Sequence, residues 1–336
     1  MNALPSERLL ASYWIPYVGI GDPKQDVYVP LLDIANYVLP NGTPQTNVVF
    51  LCAASFVGTP DNFGPPYISI PDGIMRELVP TPPQTVSNVQ QLRNLGIKVL
   101  LTIMGSSPGG NPGMGWDGVP ADQNEAFASY LQTNVIEQYG LDGIDIDNEW
   151  SNLPENVQSF MDTVGTLRQY LQGNLLTKAL WSDFDYFTCP VSGNAPNNGQ
   201  YLSSLLDFGS TMSYGSGTSD QESLVQQYNG IATQGGQNVG LAYSQLCIGV
   251  QAGPPEVGWM TPIGEVSELA QWVVSQSPPL LGMMIFTFPQ DIQQWTHWPQ
   301  NSPGYMYPNP NDHEWQKAIV EGMWGSGSWM VKPSRP

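Results

Sequence analysis

The sequence predicts a single (β/α)8 barrel, on three observations: eight β-rich apolar runs, helical patterns in the gaps between them, and no G-x-G-x-x-G opening the first unit. The runs lie near 9–18 (LLASYWIPYV) and at 47–56 (NVVFLCAASF), 98–105 (KVLLTIMG), 141–149 (LDGIDIDNE), 175–184 (LLTKALWSDF), 206–215 (LDFGSTMSYG), 245–253 (QLCIGVQAG) and 282–289 (GMMIFTFP). Their spacing leaves room for a helix after each. In DQNEAFASYLQTNVIEQYG, Asp122 is expected to cap the first turn with Glu125 three residues on; Phe127, Tyr130, Leu131 and Ile136 share a face, and Gly140 stops the helix. ENVQSFMDTVGTLRQYLQG repeats the plan with Phe160, Val164, Leu167 and Leu171 before Gly173. Shorter helical patterns are TVSNVQQLRNLG, DQESLVQQYNG, GEVSELAQWVVSQ and HEWQKAIVEGMW. The Pro- and Gly-rich stretches SSPGGNPGMGWDGVP and AGPPEVGWMTP follow strands three and seven, where a barrel carries its rim loops, so residues 1–336 read as one domain.

Composition narrows the partners. The 336 residues suit two ordinary domains or one large barrel; 41% are hydrophobic and only 12% charged, which leaves surface polarity to Asn, Gln, Ser, Thr and Gly. Acids outnumber bases 29 to 10, and a net charge of -19 repels phosphate backbones and anionic lipid, so neither nucleic acid nor membrane is expected as a partner. A monomer is expected. Cys52, Cys189 and Cys247 are too few and too scattered for a disulfide framework, and His297 and His313 lie far from any metal spacing; no metal and no cofactor are expected. No run reaches the roughly 20 apolar residues of a membrane span. The start, MNALPSERLLASYWIP, places Glu7 and Arg8 where a signal peptide carries its apolar segment, so a secreted form would already have lost its leader.

The fourth run carries the chemistry. Alternate side chains of a strand share a face, so Asp145, Asp147 and Glu149 point one way, at about 7 Å per two-residue repeat, while Ile144, Ile146 and Asn148 point the other. In a barrel strand that sends the isoleucines to the helical shell and the acids to the interior and its C-terminal mouth. Burying unpaired carboxylates costs several kcal/mol each, and close like charges push at least one pKa upward, which a general acid near neutral pH requires. A solvated edge strand would also alternate, but its neighbours are too apolar. A calcium loop fails because Trp150 stands where the turn glycine must be, and a magnesium site from the same acids stays open.

The pattern D-G-x-D-x-D-x-E, here Asp142-Gly143-Ile144-Asp145-Ile146-Asp147-Asn148-Glu149, resembles the signature of family 18 glycoside hydrolases, which include chitinases and endo-β-N-acetylglucosaminidases. IKVLLTIMGSSPGG looks like that family's third-strand motif and TMSYG like its sixth-strand Met-x-Tyr; Ile97 to about Trp150 is particularly similar to endoglycosidases of the endoglycosidase H type. The resemblance implies a TIM barrel that hydrolyses β-1,4 bonds next to N-acetylglucosamine with retention, the substrate's own 2-acetamido oxygen attacking the anomeric carbon to give an oxazolinium intermediate. It implies Glu149 as proton donor, Asp147 orienting the acetamido group, Asp145 pairing with Asp147, Asp142 holding the strand end and Tyr214 bonding the acetamido carbonyl. Trp150, Trp181 and Phe286 are the expected sugar contacts, with Trp116 and Trp259 as further aromatics. Two departures weigh against a typical chitin cleft: Gly215 follows Tyr214 where chitinases often carry Asp, and GMMIFTFPQD offers Phe286 and Phe288 where they usually offer Trp. An N-glycan core is therefore the leading substrate and chitin the alternative. A lectin on the same barrel is a second class, disfavoured because Glu149 is present, and a metal-dependent hydrolase a third. Both substrates are extracellular, so secretion is expected.

Overall fold

The computed structural model describes residues 8–18, 27–105, 114–149, 156–193, 195–253, 260–292 and 313–332. Eight parallel strands form the barrel: β1 (Leu9–Trp14), β2 (Val48–Phe56), β3 (Lys98–Met104), β4 (Gly143–Asp147), β5 (Leu175–Leu180), β6 (Phe208–Thr211), β7 (Leu246–Gln251) and β8 (Gly282–Phe286). Each pairs with the next in sequence and β1 pairs with both β2 and β8, which closes the sheet. All eight fall within the runs read from sequence. Strand β4 is shorter than its run and ends at Asp147.

The helices are α1 (Asp72–Leu78), α2 (Asn88–Asn94), α3 (Asn124–Tyr130, continuing as a π-helical stretch over Leu131–Glu137), α4 (Val157–Tyr170), α5 (Asp185–Thr188), α6 (Leu202–Leu205), α7 (Thr218–Gly230), α8 (Ile263–Ser275), α9 (Phe288–Ile292) and α10 (Glu314–Trp324). The alternation is not regular throughout. The first crossover holds a 3-10 helix over Leu31–Asn36 behind Pro30. The fifth holds two four-residue helices, because Pro190, Gly193, Pro196 and Gly199 interrupt the chain between them. In α4 and at its C-terminal cap, Phe160, Val164, Leu167 and Leu171 are fully buried as their spacing requires.

The expected cap at Asp122 does not form. Pro120 starts a 3-10 turn over Ala121–Gln123 in which the Gln123 N–H donates to the Pro120 carbonyl at 2.9 Å; Asp122 is therefore inside a turn, and α3 begins only at Asn124 without a side-chain cap. Phe127, Leu131 and Ile136 are buried on one face, with Tyr130 half-buried beside them.

Two apolar layers result. Leu9, Ala11, Val48, Phe50, Leu100, Leu175, Phe208, Cys247 and Met284 fill the barrel interior, and a larger layer that includes Ile144 and Ile146 packs between strands and helices. Each fully buried large side chain contributes about 1.5–3 kcal/mol. Trp116, expected among the sugar-facing aromatics, belongs to the outer layer: it is fully buried and its indole N–H donates to the Ile103 carbonyl at 2.8 Å. His313 is likewise a core residue, its ring 3.9 Å from that of Tyr37, and burial lowers its pKa to about 3. His297 lies outside the described residues. Cys52, Cys189 and Cys247 are free thiols. Among the described residues, no helix is long and apolar enough to cross a membrane.

Candidate active site

The acids run along β4 and just past both of its ends. At its N-terminal end Asp142 is buried and accepts from the Arg93 side chain at 2.9 and 3.2 Å, the Lys98 ammonium at 3.5 Å and the Val99 N–H at 3.0 Å. That makes it a strand-end anchor, away from the mouth. Next to it, Gly143 has no room for a side chain, since a Cβ would stand 2.0 Å from the Leu175 carbonyl oxygen.

Asp145 sits in the barrel interior between two threonines. Register pairs Thr102 of β3 and Thr177 of β5 with it, so both hydroxyls face its carboxylate. Thr177 donates to Oδ1 at 2.6 Å; Thr102 at 3.0 Å and the Tyr13 hydroxyl at 2.7 Å donate to Oδ2. Burial raises the Asp145 pKa above the usual carboxylate range, and the three donors oppose that by stabilising the charged form. Thr102, Thr177 and Tyr13 escape the sequence reading, although each alternates with interior apolar residues in its own strand.

Asp147, two residues on, is 5% exposed, and its Oδ1 has no hydrogen-bond partner among the described residues. Its pKa is pushed well above the usual range, first by burial and then by the charges of Glu149 and Asp145. Glu149 lies beyond the end of the strand and is exposed at the mouth; desolvation there raises its pKa, while a hydrogen bond with Asp147 and the charge of Lys178 lower it. The two carboxyls share that hydrogen bond, so they titrate as a pair with a proton held between them. The larger upward push falls on Asp147, because it is the deeper of the two.

Tyr214, just past β6, faces the same acids. Its pKa is raised well above normal by burial and then by the charges of Asp147 and Glu149, and its hydroxyl has no partner among the described residues. Its ring stacks on Phe286 at 5.8 Å and 22°. Gly249 of β7 makes the space: a Cβ there would stand 1.9 Å from the Thr211 carbonyl oxygen and 3.1 Å from the Tyr214 ring. Phe286 is half-buried and also meets Tyr13, which makes it part of the wall behind Tyr214. Cys52 of β2 adds a half-buried thiol beside the acids, its pKa raised well above normal by burial and by Asp147. Trp181 follows β5 at the rim and is 51% exposed. Trp150 and Trp259 lie outside the described residues.

The structure therefore gathers Asp145, Asp147, Glu149, Tyr214 and Phe286 at the C-terminal mouth. A deep, hydrogen-bonded carboxylate, a proton-sharing pair above it and two buried polar atoms without partners among the described residues make an arrangement equipped for acid catalysis on a polar substrate. No group of three or more His, Cys, Asp or Glu arranged to hold a metal ion occurs among the described residues.

Known proteins share this fold. Residues 85–245 match the family model described as the endo-beta-N-acetylglucosaminidase EndoS TIM-barrel domain. The fold is also similar to a fungal endo-beta-N-acetylglucosaminidase of glycosyl hydrolase family 18 (17% identity, TM-score 0.58, covering 95% of this chain and 99% of that one) and to the catalytic domain of a family 18 chitinase from the fern Peteris ryukyuensis (19%, 0.58, 94% and 99%). EndoBT-3987 from Bacteroides thetaiotamicron, solved with a Man9GlcNAc2Asn substrate, is similar at 15% identity and TM-score 0.53 over 85% of this chain; the present chain spans only 64% of that protein's length. The matched segment, a little under half of the chain, contains the whole acid strand and Tyr214.

Proposed function

We propose that the protein is a retaining endo-β-N-acetylglucosaminidase that cuts the di-N-acetylchitobiose core of N-glycans with the help of the substrate's 2-acetamido group. The observation that carries this reading is the pair of buried polar atoms that have no partners among the described residues, Asp147 Oδ1 and the Tyr214 hydroxyl, the tyrosine lying within the field of the Asp147 charge at the mouth. A buried donor and acceptor left unpaired cost stability unless a ligand satisfies them. An acetamido group supplies both complements: its carbonyl accepts from the Tyr214 hydroxyl and its N–H donates to Asp147.

The steps follow from these positions. When the acetamido N–H donates to Asp147, the proton that Asp147 and Glu149 share goes wholly to Glu149, which gives it to the glycosidic oxygen as the C1–O bond breaks, and the acetamido oxygen bonds to C1. The nitrogen gains positive charge, which the Asp147 carboxylate offsets. Glu149, now ionised, takes a proton from water as that water attacks C1 and reopens the ring; two inversions give retention. No second carboxylate nucleophile is needed. Asp145, held by three donors, stays fixed beneath and raises the cost of full ionisation at Asp147. Trp181 offers an exposed stacking face for a sugar. Catalysis by a single protein chain, and secretion to where such glycans occur, belong to the same proposal.

Incubating wild type and Glu149→Gln with a high-mannose glycoprotein and with chitin oligomers, with and without EDTA, tests it. The expected result is release of glycan that survives EDTA and is lost in the variant. Cleavage confined to chitin oligomers shifts the reading to a chitinase, binding without turnover by either protein to a lectin, and loss in EDTA to a metal-dependent hydrolase.

A further inference from the structure

Glu149 poses a geometric problem. The ladder of β4 ends with Met104 opposite Asp147 on one side and Lys178 opposite Ile146 on the other, so Glu149 stands two residues past the last sheet pairing. Nothing in the ladder directs its carboxyl over the mouth.

The intervening residue is tethered instead. Asn148 points away from the acids, and its Nδ2 donates to the Tyr186 hydroxyl at 3.0 Å and to Asp117 Oδ2 at 3.3 Å. Tyr186 in turn donates its hydroxyl proton to Asp117, whose oxygens lie at 3.1 and 3.0 Å. Asp117 comes from the loop after β3 and Tyr186 from α5 after β5, both buried, so the trio ties together the loops on either side of the acid strand. The tether rests on a rigid base: the Tyr186 ring packs 4.3 Å from Phe160, and the buried Lys178 ammonium, ion-paired with Asp183, lies 5.8 Å from both rings. An amide nitrogen suits this place because it meets two acceptors; a carboxylate at 148 would meet Asp117 as a like charge, and an apolar side chain would leave both bonds unmade.

We propose that Asn148 is a positioning residue: its bonds to Asp117 and Tyr186 fix the strand end so that the next side chain, Glu149, is presented over the barrel mouth. The inference rests on the proposed role of Glu149 as proton donor. Side chains alternate along extended chain, so anchoring one outward residue sets the direction of its inward neighbour.

The test uses Asn148→Ala, Asn148→Asp and Tyr186→Phe. On the glycan that wild type cleaves, Asn148→Ala is expected to lower kcat by about ten- to a hundredfold, the scale of a misplaced catalytic group, with KM within about twofold. Asn148→Asp is expected to be worse, and Tyr186→Phe to fall in the same direction without adding to Asn148→Ala in the double variant. The second readout needs no turnover: a carbon-13 carboxyl titration in which Glu149→Gln identifies the Glu149 signal. Glu149 is faced by Asp147 of β4, Cys52 of β2, Tyr214 after β6 and Lys178 of β5. Released from that desolvated mouth, its titration should move down toward the ordinary carboxylate range in the Asn148 variants. If Asn148→Ala does not fold, Tyr186→Phe, which keeps the packed ring, carries both readouts. Wild-type kcat with an unmoved titration overturns the proposal, as does a fall in kcat that tracks lost thermal stability while the titration stays put. Should wild type cleave neither substrate, the activity reading fails and the titration alone decides the tether.

Discussion

Replacing Asp147 with Asn should separate catalysis from stability, with opposite signs. The substitution keeps size and shape but removes a titratable carboxyl that is 5% exposed, has no partner at Oδ1 among the described residues and faces Glu149 and Asp145. In the proposed reaction its charge offsets the positive nitrogen of the oxazolinium. Losing a preorganised group aimed at developing charge costs about 2.7–4 kcal/mol, or 10²–10³ in kcat. Stability should move the other way. A carboxyl whose folded pKa is raised holds its proton in the native state after the unfolded chain has released it, so the native state binds more protons and wild type loses stability as pH rises from the unfolded value near 3.9 through the folded one. The amide of the Asp147→Asn variant does not titrate. The variant's melting temperature should therefore equal or exceed that of wild type at neutral pH, with the gap widening as pH rises from about 4 toward the raised folded-state value. Steady-state cleavage of a high-mannose glycopeptide and thermal unfolding across that range provide the assay. Turnover near the wild-type rate would refute the role given to Asp147; a melting temperature that falls more as pH rises would refute the electrostatic account of its burial.

Other changes follow from the same contacts. Tyr214→Phe removes a hydroxyl without a protein partner among the described residues, so the fold should be unaffected, while loss of one substrate hydrogen bond of about 2 kcal/mol should lower kcat/KM about thirtyfold; an unchanged kcat/KM removes Tyr214 from the acetamido site. Asp142→Ala breaks the anchor to Arg93, Lys98 and the Val99 N–H; because both cations retain some solvent contact, the loss should be about 2–3 kcal/mol, seen in chemical denaturation, with activity per folded molecule retained. Trp181→Ala exposes no core and should raise KM several-fold, equivalent to about 1 kcal/mol, with kcat unchanged; an unaltered KM for every glycan tested means that this indole does not stack on sugar.

The alternation of Asp145, Asp147 and Glu149 with Ile144, Ile146 and Asn148 was legible from period-two patterning alone, since a strand has only two faces and the isoleucines demand the apolar one. The eight strands were legible for the same local reason, and buried stripes such as Phe160, Val164, Leu167 and Leu171 followed from helical spacing. Local rules failed where two of them competed. Asp122 and Glu125 satisfy a capping pattern, but Pro120 captures the preceding residues in a turn and moves the helix start to Asn124. Trp116 has the composition of a sugar platform, yet whether an indole lies at a rim or under a helix is set by neighbours distant in the chain; here Phe56 and Phe127 enclose it.

The sequence by itself determined the barrel, the acid strand and which of its side chains face inward, because these depend on periodicities that the chain carries in every short window. Tertiary structure alone decided the chemistry of each acid. Thr102 and Thr177 meet Asp145 only through the register of three strands, and Tyr13 reaches it from 132 residues away. Asp147 takes the largest upward pKa push because of depth and neighbours, and Asn148 is anchored by loops that follow two other strands. Protonation and orientation are properties of distances between remote residues, and those distances exist only once the barrel has closed.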